Sequence, residues 1–239
     1  EMYGALLHGG RLVIVPKSIT KDAISFTSLL VEEGVTVLNQ TPSSFYALQE
    51  EYLNTVTETT LRYIIFGGEA LNPTYLKRWK QTYSNSNLIN MYGITETTVH
   101  VTYKEITALD NEKSVSTIGS AIPTLSCYIV DNDLNLVPQG AIGELCVGGS
   151  GVARGYLNRS ELTNERFVLN PFTGNTSKLY KSGDLGRWLP DGSIEYIGRK
   201  DNQVKIRGYR IEIGEIENIL SKVEGVQSSC VLAKEDASG

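Results

Sequence analysis

The chain has 239 residues, of which 41% are apolar and 21% charged, with a net charge of −5 and an isoelectric point near 5.2. That length allows one large domain or two smaller ones with real cores, and the acidic balance excludes a general nucleic-acid binder, which shows a basic face. No apolar run is long enough to span a bilayer and no signal peptide opens the chain, so no membrane partner is expected and the cytoplasm is the expected compartment.

Cys127, Cys146 and Cys230 are far apart and form neither a CxxC pair nor a zinc spacing. All three lie in strand-like apolar runs, which predicts buried free thiols. Glu1 opens inside an amphipathic stretch over 1–8, and Gly239 stops just past an apolar run over 226–232. The expectation is a piece of a larger polypeptide.

Residues 12–15 are an apolar run closed by Pro16, read as a first strand. Residues 22–33 have helical periodicity and stop before Gly34, and 35–38 form the next strand. Thr41 is a good N-cap with Pro42 at the first helical position, starting a helix that runs over 43–51. A third strand over 61–66, a helix capped by Asn72-Pro73 and a fourth strand over 88–91 follow. Short apolar strands separated by helices predict a parallel sheet with helices on both faces, an α/β lobe over 1–114.

From about residue 115 short alternating strands take over, at 127–131, 144–147 and 192–197. They are separated by turn residues such as Pro138-Gln139-Gly140 and Asp191-Gly192, which predicts an antiparallel lobe over 115–200, a distorted β-barrel. A third unit over 201–239 starts a small α+β lobe. It has two strands flanking Gly208 (203–207 and 209–213), a helix over 214–223 with Glu215 and Glu217 in its first turn, and a last strand over 226–232.

Ligands of parallel α/β sheets bind outside the carboxyl ends of the strands. Those ends are Leu38-Asn39-Gln40, Ile65-Phe66-Gly67-Gly68-Glu69 and Asn90-Met91-Tyr92-Gly93, and they are expected to converge on one crevice. Taken singly, each also reads as an ordinary βα loop. The pair Gly67-Gly68 suggests close approach of a ligand or another backbone.

The stretch Asn90-Met91-Tyr92-Gly93-Ile94-Thr95-Glu96-Thr97-Thr98 offers a ring to stack on a base, hydroxyls for phosphate and a carboxylate for Mg²⁺. Equally, it reads as a hydroxyl-rich loop capping a following helix. The glycine-rich stretch over 143–157 gives loose GxGxxG readings, but no βαβ unit surrounds it. Structural glycines at a tight strand crossing fit it better than a dinucleotide fingerprint. In Ser182-Gly183-Asp184 the acid after a turn glycine can accept both hydroxyls of a ribose, although a turn aspartate is the commoner meaning. His8 and His100 complete no triad. His8 reads as surface, and His100 as either a pocket or a core residue.

Residues 198–217 read Gly-Arg-Lys-Asp-Asn-Gln-Val-Lys-Ile-Arg-Gly-Tyr-Arg-Ile-Glu-Ile-Gly-Glu-Ile-Glu, with cations at Arg199, Lys200, Lys205, Arg207 and Arg210. Alone, such a run is a solvated hairpin. With the motifs before it, it resembles the hinge and hairpin of adenylate-forming enzymes. Over 1–232 the chain resembles the adenylation domains of non-ribosomal peptide synthetases. The wording Tyr92-Gly93-x-Thr95-Glu96 with Val204-Lys205-Ile206-Arg207-Gly208 favours that branch over acyl- or aryl-CoA ligases. The departures are Ile94 for the usual proline and Ser182 for the usual threonine.

The resemblance implies that an amino-acid carboxylate attacks the α-phosphate of Mg-ATP and releases pyrophosphate. The aminoacyl group then passes to the phosphopantetheine thiol of a peptidyl carrier protein, beside a condensation domain, in antibiotic or siderophore biosynthesis. Carried over, Tyr92 stacks on adenine and Asn90 bonds its edge. Gly68, Glu69 and Ala70 line the adenine side, and Gly93 belongs to the same nucleotide-binding loop. Thr95 contacts the α-phosphate and Glu96 holds Mg²⁺. Asp184 takes the ribose hydroxyls, assisted by Arg199. Asp201 is the hinge of a rotating small lobe, and Lys205 and Gly208 line the thiol tunnel.

The family's side-chain pocket maps onto Asn39, Ile65, Gly67, Met91, Val99 and His100, a series that resembles the pattern for L-threonine. Asn39 and His100 can bond a hydroxyl while Ile65, Met91 and Val99 surround a methyl. A site built to pair a hydroxyl rejects analogues lacking it, and serine loses only a methyl contact, roughly 1–3 kcal/mol. The resemblance also implies a phosphate-gripping loop and an α-amino-binding aspartate before Glu1, and a catalytic lysine after Gly239. The 239 residues alone are then expected to adenylate weakly or not at all. The other readings are an acyl- or aryl-CoA ligase and an excised module that only docks partners.

Overall fold

The computed structural model describes residues 2–112, 114–174, 176–201, 203–206, 208–223, 225–226 and 229–234, the side chains of Met2, Lys205, Arg210 and Asn218 excepted. The first lobe alternates helix and strand: α1 (Met2–Leu7), α2 (Ala23–Glu32), β1 (Val37–Gln40), α3 (Pro42–Thr55), β2 (Tyr63–Phe66), α4 (Lys77–Thr82) and β3 (Asn87–Asn90). The helix starts follow the capping chemistry of the sequence. Asp22 accepts from Ser25 N (3.2 Å) and Thr41 Oγ1 from Ser44 N (3.4 Å) with Pro42 next to it, while Asn72 Oδ1 accepts from Thr74 N (3.1 Å) and caps a 3₁₀ turn (Pro73–Leu76) that runs into α4.

β1, β2 and β3 pair in parallel, with Asn39 opposite Ile65 and Ile65 opposite Ile89, so Gln40, Phe66 and Asn90 end level. The apolar sides of α2, α3 and α4 cover the sheet. Phe45 packs edge-on against Phe66 (5.2 Å between ring centres) and Trp79 (4.9 Å), and Leu30, Tyr52, Ile64 and Leu88 complete the core. The strand expected at 12–15 is absent. Residues 11–16 are irregular, with Ile14 84% exposed. An extended segment becomes a strand only with a ladder partner, and the outer edge of β1 carries no further strand among the described residues.

The second lobe is β4 (Thr102–Glu105), β5 (Thr117–Ala121), β6 (Leu125–Val130), β7 (Gly143–Gly149), α5 (Ser160–Arg166), β8 (Phe167–Leu169), β9 (Lys178–Trp188) and β10 (Ile194–Arg199). It is antiparallel, as expected, and continues the first lobe's sheet in the order β1-β2-β3-β4-β5-β10-β9-β7-β6, with β8 added to β9. Bulges in β7 between Glu144 and Cys146, and in β10 between Tyr196 and Gly198, bend it. The strands stay open where a distorted barrel was expected, because β6 pairs only with β7 among the described strands.

β11 (Val204–Ile206) and β12 (Tyr209–Ile211) form the hairpin around Gly208, whose φ of 76° is the left-handed conformation a tight turn requires. α6 (Ile213–Leu220) follows. The last strand expected at 226–232 is not seen among the described residues. Ser229 Oγ and Val231 N donate to the Glu217 backbone oxygen and carboxylate of α6 instead of a ladder (3.2 and 2.9 Å). Cys230 is therefore exposed, against the buried thiol expected, while Cys127 and Cys146 are half-buried and buried in β6 and β7. All three are free, and burial pushes the Cys127 and Cys146 thiols up to about 12.

Candidate active site

The level ends of β1, β2 and β3 open into a cavity of about 440 Å³. Asn39 and Gln40 enter it from β1, Ile65 and Gly67 from β2 and the turn after it, and Met91 from just beyond β3. Val99 and His100 close it from the loop that follows. That loop is tight. Thr98 and Val99 have φ of 62° and 72°, Val99 N donates to Ile94 O (3.2 Å) and Val101 N to Tyr92 O (2.8 Å). A Cβ on Gly93 would fall 1.7 Å from Val99 O, so glycine lets the backbone fold back on itself. The six residues predicted for a side-chain pocket thus line one cavity, together with Thr95 and Gly208. The Thr95–Thr97 turn leads into β4, so it caps no helix.

A second, narrower slot lies beside the first and shares Gly68, Met91 and Gly93 with it. Gly68, Glu69 and Ala70 form one side, and the rings of Tyr92 and Tyr196 and the apolar Ile118 form the rest. Asn90 reaches it too, its Nδ2 donating to Thr117 O (2.9 Å). Glu69 accepts from Ser43 N and Oγ at the start of α3 (3.0 Å each), which ties the Gly67-Gly68 turn to that helix.

Beneath the slot is a buried charge network. Asp184 is fully buried; its carboxylate accepts from Tyr92 OH (2.5 Å) and from Arg199 Nη1 (3.1 Å). Arg199 also donates to Asp201 through Nε (2.9 Å) and Nη2 (2.6 Å), and to Ser182 O (2.8 Å). Burial, and then the Asp184 charge, raise the Tyr92 phenol well above its ordinary value. Burial alone would raise the Asp201 carboxyl, but the Arg199 bonds outweigh it and hold it below the usual range. Glu96 lines neither cavity; its Oε1 accepts from Tyr156 OH (2.7 Å). Gly208 sits on Thr41 and Gly68 at the cavity mouth, while the Lys205 side chain lies outside the described residues.

Sequence reasoning missed Tyr196, Thr41 and Tyr156. Thr41 follows β1 directly, so the strand-end rule that found Asn39 reaches it. Tyr196 and Tyr156 lie on β10 and in the glycine-rich stretch, and no local signal points from there to this site. Among the described residues no group of three or more His, Cys, Asp or Glu side chains is placed to hold a metal, and no helix is long and apolar enough to cross a membrane.

Strand ends that open into a polar-and-apolar cavity, beside an aromatic slot over a buried carboxylate, form the crevice in which α/β sheets bind ligands. Residues 1–157 match the AMP-binding enzyme family, and the chain belongs to it. Within that family its likeness is to adenylation domains of non-ribosomal peptide synthetases. It is 49% identical to a dimodular nonribosomal peptide synthase of Bacillus subtilis (strain 168), over all of this chain and 10% of that protein. It is 45% identical to tyrocidine synthase 3 of Brevibacillus parabrevis, over all of this chain and 4% of that protein. The fold superposes with a TM-score of 0.85 on PA1221, an NRPS protein containing adenylation and PCP domains, at 28% identity over all of this chain and 48% of that one. The chain spans a tenth or less of the length of the curated relatives it matches.

Proposed function

We propose that the chain forms part of an adenylation domain that activates L-threonine as threonyl-AMP and passes it to the phosphopantetheine thiol of a carrier protein, inside a larger cytoplasmic synthetase with a condensation domain. The observation that supports it most is the convergence of Asn39, Ile65, Gly67, Met91, Val99 and His100 on one cavity. Of these six, Asn39 and His100 are polar and Ile65, Met91 and Val99 apolar, a combination that suits a side chain carrying one hydroxyl and one methyl. In this reading residues 1–114 and 115–200 build the fixed part of the domain and 201–239 begin the mobile part.

ATP is the co-substrate. In this reading its adenine stacks on Tyr92 beside the Gly68-Glu69-Ala70 turn, with Asn90 at its edge and Tyr196 alongside, and the narrow slot lined by these residues widens to admit it. The ribose lies over Asp184. Because that carboxylate is already engaged by Tyr92, Arg199 and Tyr196, sugar binding requires these groups to yield hydrogen-bond capacity. Gly93 lines both slot and cavity and Thr95 lines the cavity, and in this reading the α-phosphate meets the substrate carboxylate beside them. Attack by that carboxylate forms the C–O–P bond of the adenylate and expels pyrophosphate. A thiol then displaces AMP to give the thioester.

Mg²⁺ uses one or two carboxylates and completes its shell with phosphate oxygens and water, and Glu96 fits that donor set. When bound, it neutralises charge on the phosphates. Arg199 bridges Asp184 to the hinge at Asp201, so hinge rotation alters the sugar site. Lys205 and Gly208 belong to the hairpin that faces the thiol, and Gly208 already rests at the cavity mouth.

The test is amino-acid-dependent ATP–pyrophosphate exchange by the adenylation domain of which these residues are part, with all twenty amino acids. Exchange dominated by threonine, with serine behind it, is expected. Dominance of another amino acid refutes the pocket assignment and leaves the reaction class standing. No exchange with any of them refutes amino-acid activation.

A further inference from the structure

The end of the glycine-rich stretch over 143–157 is pressed against α5. Gly155 has φ of 147°, and a Cβ there would lie 2.4 Å from Thr163 Cγ2 on α5, so only glycine lets the backbone press against that helix. Thr163 Oγ1 accepts from Tyr156 N (2.9 Å). The Tyr156 ring packs edge-on against Phe167, with centres 5.3 Å apart and planes at 75°. The phenol is thereby delivered to Glu96, 60 residues earlier, where it donates to Oε1 at 2.7 Å. Tyr180 OH lies 3.1 Å from the same phenol. Two residues before Gly155, Ala153 N donates to Glu96 O (2.9 Å). One short segment therefore grips both the backbone and the carboxylate of Glu96.

We infer that Tyr156 is a positioning residue for the metal carboxylate: its hydroxyl holds one oxygen of Glu96 and so sets the direction in which the carboxylate meets Mg-ATP. The inference rests on the reading of Glu96 given under Proposed function. Hydrogen-bond partners of metal ligands typically contribute ten- to a hundredfold to metal affinity. Phenylalanine at 156 keeps the ring against Phe167 and removes only the donor, which isolates the bond from the packing.

Mn²⁺ affinity is measured in the adenylation domain with a non-hydrolysable ATP analogue, by the electron paramagnetic resonance signal of free Mn²⁺. Tyr156→Phe is expected to weaken binding roughly tenfold, and Glu96→Gln at least as much. The double variant is expected to be no weaker than Glu96→Gln, because Tyr156 acts through that carboxylate. Tyr180→Phe keeps the Tyr156–Glu96 bond and stays within about twofold of the parent. The inference is overturned by a Tyr156→Phe protein that keeps parental affinity while Glu96→Gln loses it. It is overturned equally if the two losses multiply in the double variant, or if Tyr180→Phe loses as much as Tyr156→Phe. Unchanged affinity in Glu96→Gln itself removes the metal reading of Glu96, and the inference falls with it.

Discussion

Asp184→Asn removes one charge from a fully buried position and leaves the shape of the side chain unchanged. Asp184 on β9 and Arg199 on β10 stand opposite each other in the ladder, so their bond also crosses the two strands. The carboxylate accepts three times, from Tyr92 OH at 2.5 Å on one oxygen and from Arg199 Nη1 at 3.1 Å and Tyr196 OH at 3.4 Å on the other. An asparagine has one accepting atom. If it keeps Tyr92, its NH₂ faces the guanidinium, and one charge-assisted bond is lost. Breaking a buried pair costs about 3–5 kcal/mol when the remaining charge has no other partner. Here Arg199 retains both Asp201 bonds and Ser182 O. The expected loss is therefore about 2 kcal/mol, the scale of one hydrogen bond to a charged group. At about 2–4 °C per kcal/mol for a chain of this size, the melting temperature falls by roughly 4–8 °C. Circular dichroism melts of parent and variant measure it. An unchanged or higher melting temperature would refute the argument that this pair ties β9 to β10. The proposed ribose role adds a separate expectation: KM for ATP rises roughly tenfold while KM for the amino acid stays put, since losing a carboxylate partner costs more than about 1 kcal/mol.

Gly93→Ala places a methyl 1.7 Å from Val99 O, and ordinary contact is about 3.5 Å, so Val99 and His100 must move by more than an ångström. We expect kcat/KM for the amino acid in pyrophosphate exchange to fall about a hundredfold; a variant within threefold of the parent would show that the loop yields. Gly67→Ala is milder, with its methyl 3.3 Å from Met91 O and 3.8 Å from His100 Cε1. It narrows the cavity, so KM for threonine should rise more than KM for alanine; equal changes would place Gly67 outside the selectivity wall. Iodoacetamide at pH 8 should modify Cys230 alone in the native protein. It is exposed, whereas Cys127 and Cys146, raised to about 12 by burial, hold on the order of one thiolate in ten thousand. Mass spectrometry showing three adducts before unfolding would contradict that burial. Asp201 titrates below the usual carboxylate range, because the Arg199 bonds overcome the effect of burial. A lowered folded value means its contribution is complete above the ordinary value near 3.9 and is lost as pH falls through the folded value. Urea unfolding should therefore separate the parent from Asp201→Asn by a constant amount from pH 7 to about 5, shrinking only below about 4. A gap that closes by pH 6 would show that Asp201 is not held ionised by Arg199.

What was legible in the sequence divides by the distance over which each feature is decided. Thr41-Pro42 and Asn72-Pro73 mark helix starts because a cap is settled within three residues, and the structure has both caps where the sequence puts them. The cavity was legible for a related reason. Three parallel strands in register end level, so residues just past each run must meet, and Asn39, Gly67 and Met91 do. The false strand at 12–15 had the right local pattern and lacked a partner, which no local pattern reports. Cys230 failed in the same way, since Val231 bonds to α6 where a ladder was expected. The contacts that complete the site are longer still: Tyr92 to Asp184 spans 92 residues and Tyr156 to Glu96 spans 60. They exist because β5 neighbours β10 and β9 neighbours β7. That order is set by which bulged strands can share one twisted sheet, a property of the assembled chain. The Tyr92, Asp184, Arg199 and Asp201 network therefore had to be seen in three dimensions, although each of its members stood out in the sequence by itself.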